Sequence, residues 1–280
     1  MIIDELKQVL SREPITTSKL VRITKLKEHL QLYLLNFIYQ NSKYNHNFIF
    51  TGGTCLRHCY DLARLSEDLN FDVLAKTDNQ LLATEISLYF KQNYLYPELR
   101  VSVHQQNKQI LLKFPVLNQL GLALPQERDD LFVKLDLNYP AENQPKNVTS
   151  TFKSLYRFNF IIKHYDRESL MAGKLHAILT RDRYHGAESV IKGRDYYDLL
   201  WFLDRKIIPN LDRLNAMLGK HSDLPKIMSL IDQKVEKATG EYKRSFEEDL
   251  LPFIEDQASI KIIVKNYLDL YSRAKIYLEK

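Results

Sequence analysis

Residues 48–54, Phe-Ile-Phe-Thr-Gly-Gly-Thr, set an apolar, β-branched and aromatic run directly against two glycines. Such a run reads as a buried strand that stops at a tight turn, where missing Cβ atoms let a ligand approach the backbone. Cys55-Leu56-Arg57-His58-Cys59-Tyr60 can then form the first turns of a helix, whose free N–H groups and dipole favour an anion. The turn suits a phosphate.

A dozen residues on, Leu65-Ser66-Glu67-Asp68-Leu69-Asn70-Phe71-Asp72 alternates as a strand does. Asp68, Asn70 and Asp72 point to one face, and Leu69, Phe71 and Val73 to the other. Oxygens on alternate strand residues, roughly 7 Å apart at Cα, can converge on a hard divalent cation such as Mg²⁺. Residues 131–137 repeat the pattern, with Asp136 and Lys134 on the polar side of Val133, Leu135 and Leu137. A phosphate cradle beside such oxygens points to phosphoryl or nucleotidyl transfer, in which two metal ions can activate the attacking oxygen and steady the leaving one.

Around this centre, a short helix is expected before Pro14 and a long one over 18–41, with Leu20, Ile23, Leu26, Leu30, Leu34 and Phe37 as its apolar stripe. Helical spacing returns over 79–93, and residues 99–105 and 109–117 read as a hairpin. Residues 139–151 carry two prolines and no periodic apolar pattern, which predicts a junction between domains 1–150 and 151–280. From Ser169 the pattern is helical: 169–182, 195–205, 210–219, 223–237, 241–256 and 258–279.

Composition sets outer bounds. With 280 residues, 45% of them hydrophobic, the chain can bury a real core. No apolar run of about 18 residues exists and the start lacks the features of a signal peptide, so the expected location is the cytoplasm with no membrane contact. The net charge of +5 lies mostly beyond residue 150, which permits nucleic-acid contact. Cys55 and Cys59 share one helical face without disulfide geometry. They read as reduced core thiols, since a zinc site needs further Cys or His ligands and His58 is the near one in sequence.

Taken together, Gly52-Gly53-Thr54, Arg64-Leu65-Ser66-Glu67-Asp68-Leu69-Asn70-Phe71, Val133-Lys134-Leu135-Asp136-Leu137, Met171-Ala172-Gly173-Lys174-Leu175-His176-Ala177 with Arg181, and Arg194-Asp195-Tyr196-Tyr197-Asp198-Leu199 resemble the AbiEii/AbiGii-type nucleotidyltransferase toxins of the polymerase-β-like superfamily, in the family's order over residues 48–203. The resemblance implies an α+β fold: a nucleotidyltransferase domain with a mixed sheet, then a mostly helical domain closing the nucleotide cleft. It implies a toxin that moves a nucleotide from an NTP to RNA, with the tRNA acceptor end as the expected target, Mg²⁺ or Mn²⁺ as cofactor, and a cognate antitoxin as possible partner.

By the same resemblance Asp68, Asp136, Lys174 and Asp195 are catalytic, and Gly52, Gly53, Thr54, Ser66, Lys174 and Arg181 bind the nucleotide. Asp68, residue 70 and Asp136 hold metal. Asp195 would orient Lys174 or Arg194, or assist the acceptor hydroxyl.

The chain departs from the family at residue 70, where the usual Asp is Asn70. An amide oxygen can ligate a cation but brings no charge, so either one metal suffices or activity is low, with Asp72 a partial substitute. The Thr54 hydroxyl reads equally as a helix cap or a phosphate contact. Lys163, Arg167, Arg181, Arg183, Lys192 and Arg194, interleaved with Tyr165, Tyr184, Tyr196 and Tyr197, could stack bases and take phosphates or form a plain mixed surface. His176 and His185 read as incidental. A small-molecule nucleotidyltransferase of the antibiotic-modifying kind and a non-catalytic nucleotide- or partner-binding protein are the alternative functions.

Overall fold

The computed structural model describes residues 2–141, 144, 147–181, 184, 185, 188, 189 and 191–279. The chain divides into two compact units, 1–140 with 149–164, and 141–148 with 165–280.

The first unit is a seven-stranded mixed sheet with four helices. Its elements are α1 (Ile2–Ser11), α2 (Lys19–Gln40), β1 (Phe48–Thr51), α3 (Gly52–Tyr60), β2 (Asp68–Val73), α4 (Asn79–Tyr94), β3 (Arg100–His104), β4 (Gln109–Pro115), β5 (Asp130–Asn138), β6 (Val148–Leu155) and β7 (Phe158–Tyr165). Strand order is β3-β4-β5-β2-β1-β7-β6. The centre of the sheet is mixed: β1 and β2 run antiparallel, whereas β2 pairs β5, and β1 pairs β7, in parallel.

The helices start where side chains can accept from their free N–H groups. Ser18 caps α2 and Asp78 caps α4, each satisfying donors that have no partner within the helix. Alternation in the strands then sorts the two faces. Leu69, Phe71, Val133, Leu135 and Leu137 are buried on the side opposite Asp68, Asn70, Lys134 and Asp136. Phe71 stacks on Phe50 with centroids 5.3 Å apart, and each such aromatic ring adds about 1.5–3 kcal/mol by leaving water.

Two departures from the sequence reading concern this unit. Leu20 is exposed, and Val21 and Thr24 take the inner positions of α2 in its place. The second is larger: β6 and β7 extend the sheet where no strands were expected. Sheet-edge β6 leaves most of its residues exposed, so it lacks the alternation that marks a half-buried strand. In β7, Phe158, Phe160 and Ile162 do alternate inward.

The second unit carries α5 (Arg167–Thr180), α6 (Gly193–Asp204), α7 (Leu211–Leu218), α8 (Leu224–Thr239), α9 (Lys243–Leu250) and α10 (Gln257–Ala274). Asp166, Asn210, Asp223 and Asp256 cap α5, α7, α8 and α10. Gly193 packs against the Phe246 backbone carbonyl, where a Cβ would overlap it, so α6 and α9 approach closely. Tyr267 donates to the Tyr196 carbonyl at 2.6 Å and locks α10 to α6. No helix among the described residues is long and apolar enough to cross a membrane.

Candidate active site

The Gly-Gly turn is built as a strand running straight into a helix. Thr51 is the N-cap of α3 in extended conformation and makes no side-chain capping bond. The first turn of α3 thus keeps backbone donors and the positive end of its dipole for an anion. Gly52 has φ +78°, a conformation that costs glycine little and other residues much.

The two missing Cβ atoms make room for the protein's own side chains. A Cβ on Gly52 would press on the Asn70 side chain, and one on Gly53 would overlap the Arg64 guanidinium. Both spaces are filled by the protein itself. Arg64 is buried and donates from Nη1 to the Leu65 carbonyl at 2.8 Å.

Thr54 is neither a cap nor exposed. Its buried hydroxyl bonds Ser66 Oγ at 2.7 Å and donates to the Asp68 carbonyl, so Thr54 and Ser66 rivet α3 to the start of β2. From α2, Glu28 accepts from the Ser66 N–H at 2.9 Å and from Arg57 at 3.2 Å, while Gln31 donates to the Ser66 carbonyl at 3.1 Å. Burial pushes the Glu28 carboxyl up, against the opposing pull of Arg57. The polar pair Glu28 and Gln31, three apart on a helix read as an apolar stripe, was the signal sequence reasoning passed over.

Register fixes the acidic row. Asn70 lies beside Asp136 and Asp68 beside Lys134 on the parallel strands β2 and β5, so Asp68, Asn70 and Asp136 share one face and all are partly exposed. Lys134 Nζ stands 4.0 Å from Asp68, and Asp136 accepts from Gln109 at 2.7 Å. Asn70 donates through Nδ2 to the Asp68 carbonyl at 3.2 Å. Asp72 lies at the far end of the row, buried and bonded to Asn138 at 2.8 Å.

The second unit holds its own charged cluster. Lys174 Nζ sits 2.7 Å from both Asp195 and Asp198, and Arg181 reaches Asp195 at 2.6 Å. Burial favours the neutral acid, but Lys174 and Arg181 outweigh it and hold Asp195 at about 2. Asp198, wholly buried, was not among the expected site residues, although its i+3 spacing from Asp195 places both on one helix face. Arg194 turns elsewhere, over the Phe253 ring at 4.6 Å and with its backbone N–H on Asp249.

Two of the rings expected to stack bases are not available for it. Tyr165 and Tyr196 are core residues, Tyr165 lying under Arg213 at 3.9 Å. Arg183 and the side chains of Tyr184 and His185 fall outside the described residues. His176 is half-buried, and desolvation lowers its pKa.

A mixed sheet that presents an uncapped Gly-Gly helix start beside an acidic strand pair is the fold of a nucleotidyltransferase. Over 98% of its length the chain is similar to MenT4, a nucleotidyltransferase toxin of Mycobacterium tuberculosis, covering 92% of that chain at 15% identity and a TM-score of 0.51. JHP933 from Helicobacter pylori is similar over 92% of this chain and 98% of its own, at 16% identity and a TM-score of 0.46. No curated protein sequence gives a match. The family model of the AbiEii toxin, a nucleotidyl transferase of type IV toxin–antitoxin systems, matches residues 35–271. The chain belongs to that family.

Proposed function

We propose that this chain transfers a nucleoside monophosphate from an NTP to RNA, with the acceptor end of tRNA as the target, in the cytoplasm, and that an antitoxin restrains the resulting arrest of growth. The observation that carries the reading is the β2–β5 register, which sets Asn70 beside Asp136 and keeps Asp68 on the same face.

Two carboxylates and an amide oxygen there match the hard donors that Mg²⁺ or Mn²⁺ prefers, and Lys134 and Gln109, the register partners of Asp68 and Asp136 on the adjoining strands, offer no soft ligand. Asp68, Asn70 and Asp136 would hold such an ion, which when bound neutralises phosphate charge and makes the acceptor hydroxyl a better nucleophile. The first-turn N–H groups of α3 take phosphate oxygens. Lys134 is the counter-charge that Asp68 exchanges on loading.

In the second unit, two carboxylates occupy two of the three ammonium donors of Lys174, leaving one for a phosphate oxygen. Arg181, with a side chain 40% exposed, adds a guanidinium edge suited to the same group. Asp195 holds both cations in place as a positioning carboxylate.

One observation favours a second reading, nucleotide binding without transfer: residue 70 brings a neutral amide to the acidic row in place of a carboxylate. Incubation of the protein with each labelled NTP, Mg²⁺ and total RNA separates the two. Label on RNA is the expected result. Label on a small molecule moves the assignment to another acceptor class, and binding without transfer supports the second reading.

A further inference from the structure

Cys55 and Cys59 of α3 do not stand alone. His164, from the end of β7 and over a hundred residues later, closes on them, and one ligand atom from each of the three lies within 4.8 Å of the others. In a tetrahedral zinc centre the corresponding sulfur and nitrogen atoms are roughly 3.5–3.8 Å apart, given Zn–S of about 2.3 Å and Zn–N of about 2.0–2.1 Å. The three groups are thus assembled to within about 1 Å of a coordinating geometry before any ion arrives.

The surroundings fit that use. The register of β7 on β1 places His164 beside Phe50, and Thr151 bonds its Nε2 at 2.8 Å, fixing the ring as outer partners of metal-bound imidazoles do. Tyr60 packs edge-on at 5.1 Å. Cys55 and His164 are buried, and Cys59 is partly exposed, so an ion has a way in. The hydrogen bond from Cys55, with help from His164 and Lys153, draws the Cys59 thiol below its ordinary range, while burial holds Cys55 up.

We propose that Cys55, Cys59 and His164 form a binding site for a thiolate-preferring divalent cation of the Zn²⁺ class, separate from the oxygen-lined row on β2 and β5. Two Zn–S bonds form as the thiol protons leave to solvent, and the two thiolates neutralise the ion. Among the described residues no fourth Asp, Glu, His or Cys joins the group, so the protein supplies three ligands. Because α3 begins at Gly52, an ion here ties the phosphate-facing helix to β7.

The test uses the full chain, reduced and metal-free, titrated with Co²⁺. Saturation at one equivalent, with thiolate-to-cobalt charge-transfer absorption displaced by Zn²⁺, is expected. Cys59→Ser and His164→Gln should lose that band, Thr151→Val should weaken binding about tenfold, and Asp68→Ala should leave it unchanged. If the first two variants do not fold, the wild type decides: one equivalent of Zn²⁺ should protect its thiols from a disulfide reagent until a chelator is added. Absence of the band and of protection, persistence of the band in both folded ligand variants, or its loss in Asp68→Ala overturns the site.

Discussion

The guanidinium of Arg64 occupies the space in which a side chain at Gly53 would begin. Gly53→Ala must therefore displace a buried charged group, and a loss of about 1–3 kcal/mol is expected from overpacking. Urea unfolding measures it. In an Arg64→Ala background the same substitution should cost clearly less, since the two sites are coupled; equal costs would mean Arg64 is not what Gly53 accommodates.

Asp68→Ala and Asp136→Ala should each reduce nucleotide transfer on the order of 10²–10³-fold. Both side chains are partly exposed, so stability should change little, Asp136 losing one hydrogen bond from Gln109 worth about 1 kcal/mol. Transfer rates and unfolding midpoints measured together check this. Full activity in Asp68→Ala would remove the assignment.

Asn70→Asp adds a charge beside Asp136 and replaces the donor that Asn70 directs at the Asp68 carbonyl. Without divalent ions the variant should melt lower than the wild type, through carboxylate repulsion. With Mg²⁺ it should gain more in melting temperature than the wild type and transfer faster. An Mg²⁺ response no greater than that of the wild type would show that residue 70 is not a weakened ligand.

Lys174 is held between the buried carboxylates of Asp195 and Asp198. Asp198→Ala should cost about 3–5 kcal/mol, the range for breaking a buried ion pair from one side. Asp195 titrates lower folded, at about 2, than its ordinary 3.8. Its contribution, about 2 kcal/mol, is present above pH 3.8 and is lost as pH falls through about 2. Acid unfolding of Asp195→Asn should lack that last loss.

His58 is buried near Lys153 and Arg57, and desolvation followed by those two charges lowers its pKa to about 3. Between about 3 and 6.5 the unfolded chain takes a proton that the folded chain refuses, so stability falls as pH drops through this window. The loss approaches about 1.4 kcal/mol per pH unit. Urea midpoints at pH 7 and 4.5 should draw closer together in His58→Gln; an unchanged gap would show that this ring does not set the slope.

The local pattern of the chain was legible for local reasons. Alternation over residues 68–73 and 131–137 sorted acids from core, the Gly-Gly pair marked the strand-to-helix turn, and the helices of the second half lay within a few residues of where their periodicity put them, except that the helix expected over 241–256 ends at Leu250. Asp68, Asn70 and Asp136 were readable as one set because a strand's period of two fixes which side chains share a face.

What lay between elements was not legible. The sequence supplied Asp195 and Lys174 and put Asp198 on the same helix face by its i+3 spacing, but it could not show that Asp198 is buried, because burial of a carboxylate depends on what packs over its helix. It offered His58 as the ring near the cysteines, whereas β7 delivers His164. It could not show that the spaces over Gly52 and Gly53 are taken by Asn70 and Arg64. Periodicity is a property of neighbours along the chain and determines which way each residue faces. Which distant residue it meets is decided by strand order and register, and these are settled only when the core closes.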